Sequence, residues 1–193
     1  VKPRTITAIF YEIDASLISY LKRTVRMIQK KCVSEGILFN YHIYNQNFLE
    51  SCVTGQQKDH FNCIIMNPPY KKLSGTSKIK KILSNAGIEA SNLYAAFLSV
   101  SARLLDEGGS LIAITPRSFC NGAYFRSFRK DFLDKIIFDR IHIFNSRSVL
   151  FKEDEVLQEN IILHGLKGGD KKVVNITSSN GLGSDVKSNL VGY

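Results

Sequence analysis

Four consecutive residues, Asn67, Pro68, Pro69 and Tyr70, bring together groups that could do chemistry. An asparagine side chain offers a carbonyl acceptor and an NH2 donor. The backbone carbonyl of Pro68 is a second acceptor, and proline's fixed φ keeps it pre-aimed. Tyr70 adds an aromatic face. The tetrapeptide follows Phe61-Asn62-Cys63-Ile64-Ile65-Met66, an apolar run that reads as a buried strand. Two successive prolines cannot continue a strand ladder, so the strand must stop there. Asn67 is thereby held at a strand's carboxyl end, where open α/β sheets bind their ligands. A Pro-Pro turn closing a strand behind an incidental Asn would use the same letters.

Positioning those groups takes an α/β frame, and the rest of the chain reads as one. Thr5 to Ile13 is rich in β-branched and aromatic residues with little alternation, as a strand covered on both faces would be. It ends in Glu12-Ile13, and Asp14 suits a helix N-cap. Leu17, Ile18, Leu21, Val25 and Ile28 then share one helical face. Glu35-Gly36 stops that helix, and Ile37 to Tyr44 is the next strand. Asn92 opens a helix with a buried face of Leu93, Ala96, Phe97, Val100 and Leu104, ended by Gly108-Gly109. Ser110 to Thr115 is a buried strand stopped by Pro116. Ala123 to Asp131 is a short helix, Ile136 to Phe144 a strand, and Gln158 to Leu163 a strand expected to hairpin back antiparallel. Val173 to Ile176 fits an added edge strand. From Ser178 no periodicity survives, so 178–193 reads as a polar linker and 1–177 as a single catalytic domain. An acid placed like Glu12, at a strand's end before a helix, can accept hydrogen bonds from both hydroxyls of a ribose.

Composition narrows the class. The chain has 193 residues, enough for one domain with a sizeable core. Its net charge of +9 points to a polyanionic partner, nucleic acid first. Lys71, Lys72, Lys78, Lys80 and Lys81 fall in a stretch, Lys71 to Ser91, that reads as a mobile basic loop beside Tyr70. Cys32, Cys52, Cys63 and Cys120 form no C-x-x-C pair, and Cys63 falls in the expected core strand, so the thiols read as reduced and the protein as cytoplasmic. The four histidines have no ligand spacing, which argues against a metal site. His42 and His142 read as hydrogen-bonded structural residues of strands. No signal peptide and no apolar run of membrane-span length is present. The chain does not begin with Met, as a cut domain would not.

The order Glu12-Ile13, Asn47-Phe48-Leu49 and Asn67 to Tyr70 resembles the DNA adenine-N6 methyltransferases that use S-adenosylmethionine, the TaqI-type restriction–modification methylases. The resemblance implies a Rossmann-like class I methyltransferase fold, mostly parallel, with an antiparallel C-terminal strand. It implies that Glu12 holds the cofactor's ribose while Ile13 and Phe48 pack on its adenine. Asn47 stands where the family usually carries Asp, and its carbonyl can still accept from the adenine amine without charge assistance. Asn67 borders the cofactor as well as the target. For the target, the resemblance implies that Asn67 and Pro68 accept the two N–H bonds of a flipped-out adenine amine, within a motif completed by Pro69. Tyr70 would stack on that base, Phe151 on a later loop would do the same, and Lys71 and Lys72 would contact neighbouring phosphates. The partners implied are double-stranded DNA and a recognition or endonuclease domain, fused or separate. The family's glycine-rich first motif has no match before Thr5, so the first strand, expected between 5–13 and 61–66, is missing. Two rivals stay open: a methylase of protein glutamine or RNA adenine with the same tetrapeptide, and a non-catalytic fold that binds nucleic acid or a partner.

Overall fold

The structure, a computed structural model, describes residues 3–55, 60–144, 159–170, 173–180 and 185–192. The chain divides into two compact units, Val1–Gln56 and Gln57–Tyr193.

The first unit is a βαβ arrangement. Strands β1 (Thr5–Tyr11) and β2 (Leu38–Tyr44) run parallel in unbroken register, from Thr5 opposite Leu38 to Tyr11 opposite Tyr44. Helix α1 (Ile18–Ser34) makes the crossover. The Asp14 carboxylate accepts from the Ser16 backbone N–H at 2.8 Å and opens a single 3-10 turn, Ala15–Leu17, ahead of α1. Val25 is the fully buried residue of the expected apolar face. The helix stops where Gly36 takes φ +73°, a left-handed conformation glycine adopts without strain. β1 is half-buried rather than covered on both faces. A short helix, α2 (Phe48–Val53), follows β2.

The second unit is built on a six-stranded sheet of order β3-β4-β6-β5-β7-β8. Its strands are β3 (Phe61–Met66), β4 (Leu105–Pro116), β5 (Ile136–Phe144), β6 (Asn160–Lys167), β7 (Val173–Ser179) and β8 (Lys187–Gly192). β3, β4, β5 and β7 point one way; β6 and β8 run against them. The expected antiparallel return strand is thus β6, inserted between β4 and β5. Helices α3 (Lys78–Asn85), α4 (Leu93–Leu104) and α5 (Arg126–Leu133) accompany the sheet. Leu105, Leu111, Phe132, Ile136, Ile161 and Leu163 are buried in the core, each contributing about 1.5–3 kcal/mol relative to exposure. His142 sits in β5 with Nδ1 2.8 Å from Thr177 Oγ1 and Nε2 3.0 Å from Ser179 Oγ, a structural residue as read from the sequence.

Four sequence readings are corrected. Helix α4 ends at Leu104, and Gly108, at φ +77°, lies inside the irregular start of β4 instead of capping the helix. The segment 71–91 is not simply a loop. Ser77 caps α3 by accepting from the Lys80 N–H, and Leu83, Ile88 and Ala90 are buried. β3 is the terminal strand of its sheet, so Cys63 is exposed and Ile65 is 73% exposed, not core. The tail is not all linker. β8 pairs antiparallel with β7 from Ser178–Lys187 to Val173–Gly192, which also moves β7 in from the edge. Every β8 residue is exposed, so ladder bonds hold the strand with no burial pattern to read.

One charged cluster ties α4 to α5. Asp131 receives both guanidinium nitrogens of Arg103, at 2.9 and 3.0 Å, and Lys135 Nζ at 2.7 Å. Burial opposes ionisation of Asp131, but the hydrogen bonds from Lys135 and Arg103 outweigh it and hold its pKa below the ordinary aspartate value. A depressed folded-state pKa adds stability above the unfolded value near 3.8, lost as pH falls through the folded value. Acid unfolding is therefore expected to steepen below about pH 4. Asp131→Asn should remove that part of the pH dependence, as followed by circular dichroism. No helix among the described residues is long and apolar enough to cross a membrane.

Candidate active site

In the second unit, β3 delivers Asn67 at its carboxyl end as the sequence requires. Asn67 is exposed, Pro68 buried and Pro69 exposed. Tyr70 folds back over the end of the neighbouring strand. Its hydroxyl donates to Asn67 Oδ1 at 3.3 Å and lies 3.4 Å from the Ile114 carbonyl of β4. Burial pushes the Tyr70 hydroxyl up to about 12, so at neutral pH it is a donor and never a phenolate. The contact orients the carboxamide and places the protein's own hydroxyl on its carbonyl oxygen.

The chain after Tyr70 is pinned to the start of α4. Leu93 N–H donates to the Lys71 carbonyl at 2.8 Å, Leu73 N–H to the Ser91 carbonyl at 3.1 Å, and Lys72 bridges Asn92. The Asn92 side chain caps α4 through Ala95 N–H. Lys71 and Lys72 are exposed, and among the described residues no acid pairs with either.

The first unit carries the other predicted residues. The Glu12 N–H extends the ladder to the Tyr44 carbonyl, and its Oε1 accepts from Asp14 N–H at 2.7 Å. Ile13 is 68% exposed, an apolar side chain left uncovered. The Asn47 Oδ1 caps α2 by accepting from Glu50 N–H at 3.3 Å, which uses one of its two acceptor lone pairs. The Phe48 ring stands edge-on to Tyr11 at 5.4 Å. Phe151 lies outside the described residues.

Sequence reasoning passed over several residues beside these. Asn45 Nδ2 donates to the carbonyls of Glu12 at 2.8 Å and Ile13 at 3.1 Å, clamping the loop that presents both side chains. Its place just past the end of the strand parallel to β1 was the available signal. Tyr94 is buried, with its hydroxyl 2.9 Å from Ser118 Oγ and its ring at 89° to that of Tyr70. Tyr94 read only as part of a helix opening, because its hydroxyl partner is 24 residues away.

Comparison with known proteins gives the family. The sequence model of the Eco57I restriction-modification methylases matches residues 9–151, which include every predicted site residue. The chain belongs to the Eco57I restriction-modification methylase family. This Eco57I-family chain is 39% identical over 181 residues to the type II methyltransferase M.PstI of Providencia stuartii, covering 91% of the chain and 36% of that protein. It is 40% identical over 177 residues to M.BsuBI of Bacillus subtilis, covering 87% of the chain and 34% of that protein. It thus spans about a third of the length of these relatives. In fold it is similar to a class I S-adenosylmethionine-dependent methyltransferase from Listeria monocytogenes, with TM-score 0.63 and 12% identity, covering 95% of the chain and 61% of the other. It is also similar to the EcoKI M protein, with TM-score 0.55 and 18% identity, covering 87% and 34%. The fold of the Eco57I-family chain is that of the class I methyltransferases.

Proposed function

We propose that this chain is the catalytic part of a restriction–modification methylase that moves a methyl group from S-adenosylmethionine to the N6 amine of a flipped-out adenine in double-stranded DNA. The observation that supports this most is the exposed Asn67 carboxamide at the end of β3, oriented by Tyr70. Adenine's amine is a poor nucleophile because its lone pair is delocalised into the ring. Acceptors for both N–H bonds favour the pyramidal nitrogen of the transition state. Asn67 Oδ1 takes one N–H in place of the Tyr70 hydroxyl, and the Pro68 carbonyl takes the other. As the nitrogen gains positive charge, both fixed dipoles stabilise it with little reorganisation. The Tyr70 ring, freed from Asn67, supplies the stacking that the extruded base lost in the duplex. Lys71 and Lys72 meet backbone phosphates.

The residues of the first unit fit the adenosine half of the cofactor. Glu12 has a carboxylate oxygen beyond the one bonded to Asp14, and Ile13 presents open apolar surface. Phe48 adds an aromatic wall, and Asn47, held as a helix cap, has its NH2 and a second carbonyl lone pair for the adenine. The bound cofactor supplies an activated methyl on its sulfonium, and the protein's part is to hold two reactants in line. A recognition or endonuclease module would complete the system, in keeping with the greater length of the relatives.

Labelled-methyl transfer tests this reading. Duplex DNA with adenine should accept label, and duplex in which purine lacking the amine replaces adenine should not. Affinity should fall steeply with salt, as phosphate contacts require. Transfer that is indifferent to the amine would contradict the assignment.

A further inference from the structure

One cavity of the second unit does not include Asn67. It has a volume of about 380 Å³, and its lining includes Tyr70, Lys72, Tyr94, Ser118, Tyr124 and Phe125. Tyr70 closes one side with its ring while its hydroxyl is turned onto Asn67. From there the rings are continuous. Tyr70 meets Tyr94 at 6.3 Å, Tyr94 meets Phe125 at 5.8 Å, and Phe125 meets Tyr124 edge-on at 5.0 Å. This wall passes through the buried Tyr94 and ends at Tyr124, which is 65% exposed. The hydroxyls of Tyr94 and Ser118 are paired within it. Among the described residues no Asp or Glu lines the cavity, while Lys72 does.

A flat, partly polar ligand carrying negative charge matches this lining. An apolar ligand would bring nothing to the Lys72 ammonium, whereas a phosphate would pair with it. The volume sits at the small end of ligand pockets, suited to one nucleotide and too small for a duplex. We propose that the cavity takes a second nucleotide of the bound DNA strand, next to the target adenine, its base stacked on Tyr124 and its phosphate near Lys72. This rests on the reading of the neighbouring Asn67 site as a DNA adenine methylase. Extruding the target deprives its neighbour of a stacking partner, and an exposed aromatic ring replaces it without reading sequence. The cavity thus lowers the cost of base flipping from beside the catalytic residues.

A cycle between Tyr124 and the neighbouring base tests the proposal in the full-length protein. Binding would be measured by fluorescence anisotropy on a methylated-site duplex and on duplexes abasic at one or the other neighbour of the target adenine. Tyr124→Ala is expected to weaken binding of the intact duplex by about tenfold, and Tyr124→Phe to restore it. Removing the neighbouring base should weaken the unaltered protein similarly and have little further effect in Tyr124→Ala. Because Tyr124 is exposed, the substitution leaves the core intact. An undiminished effect of base removal in Tyr124→Ala, with the unaltered protein still methylating DNA, would overturn the subsite and leave the proposed function standing. Failure of the unaltered protein to bind DNA at all would overturn both.

Discussion

Replacing Asn67 by alanine is expected to lower methyl transfer by on the order of a hundredfold or more, the usual cost of losing one pre-aimed electrostatic partner at a reacting centre. The substitution removes the side-chain acceptor and leaves the Pro68 carbonyl, so the amine keeps one of its two partners. Pro68 is buried and continues to end β3, which keeps the fold intact. The Tyr70 hydroxyl loses its bond to Asn67 Oδ1 and retains only the Ile114 carbonyl, 3.4 Å away. Single-turnover transfer to a saturating adenine duplex isolates this effect from binding. Cofactor affinity, which the proposal places on Glu12 and Ile13, should change far less than the rate. A near-normal single-turnover rate in Asn67→Ala would remove the catalytic assignment.

A chain extended at its amino terminus by a glycine-rich strand and loop is expected to bind S-adenosylmethionine on the order of a hundredfold more tightly than residues 1–193 alone. In the methylases this sequence resembles, that loop approaches the methionine end of the cofactor, and nothing from Val1 to Arg4 matches it. Glu12, Ile13, Asn47 and Phe48 are proposed to serve the adenosine half. Two hydrogen bonds to charged groups, at about 1.5–3 kcal/mol each, would account for a difference of that size. β1 is bonded to β2 alone in its sheet, and β3 ends the other sheet with Ile65 exposed, so each offers an open edge. Calorimetry on both chains checks the difference, and equal, tight binding would show that the loop is dispensable.

What could be read from the sequence follows from how local each signal is. The stop after Met66 was legible because two prolines forbid a ladder whatever surrounds them. The βαβ start was legible because apolar spacing and Gly36 mark a helix and its end. β8 was not, since an exposed edge strand depends on β7 and on no periodicity of its own. α3 was hidden because its three lysines stand among only three apolar residues, Ile79, Ile82 and Leu83, too short a run for a clear helical period. At the site, residue types were legible and their partners were not. The carbonyl of Asn47 also takes the amide N–H of Glu50 as a helix cap, a partner the sequence did not reveal. The Tyr70–Asn67 bond required the fold-back of Tyr70 towards Ile114, a contact across 44 residues.

The central claim is that the Asn67 and Pro68 carbonyls act on the amine of a DNA adenine. Nucleoside mass spectrometry of duplex DNA, RNA and total protein after incubation with the full-length protein and isotopically labelled S-adenosylmethionine tests it most directly. The account predicts label in N6-methyl-2′-deoxyadenosine from duplex DNA, and its loss with Asn67→Ala. Label confined to RNA adenine or to protein glutamine would contradict it.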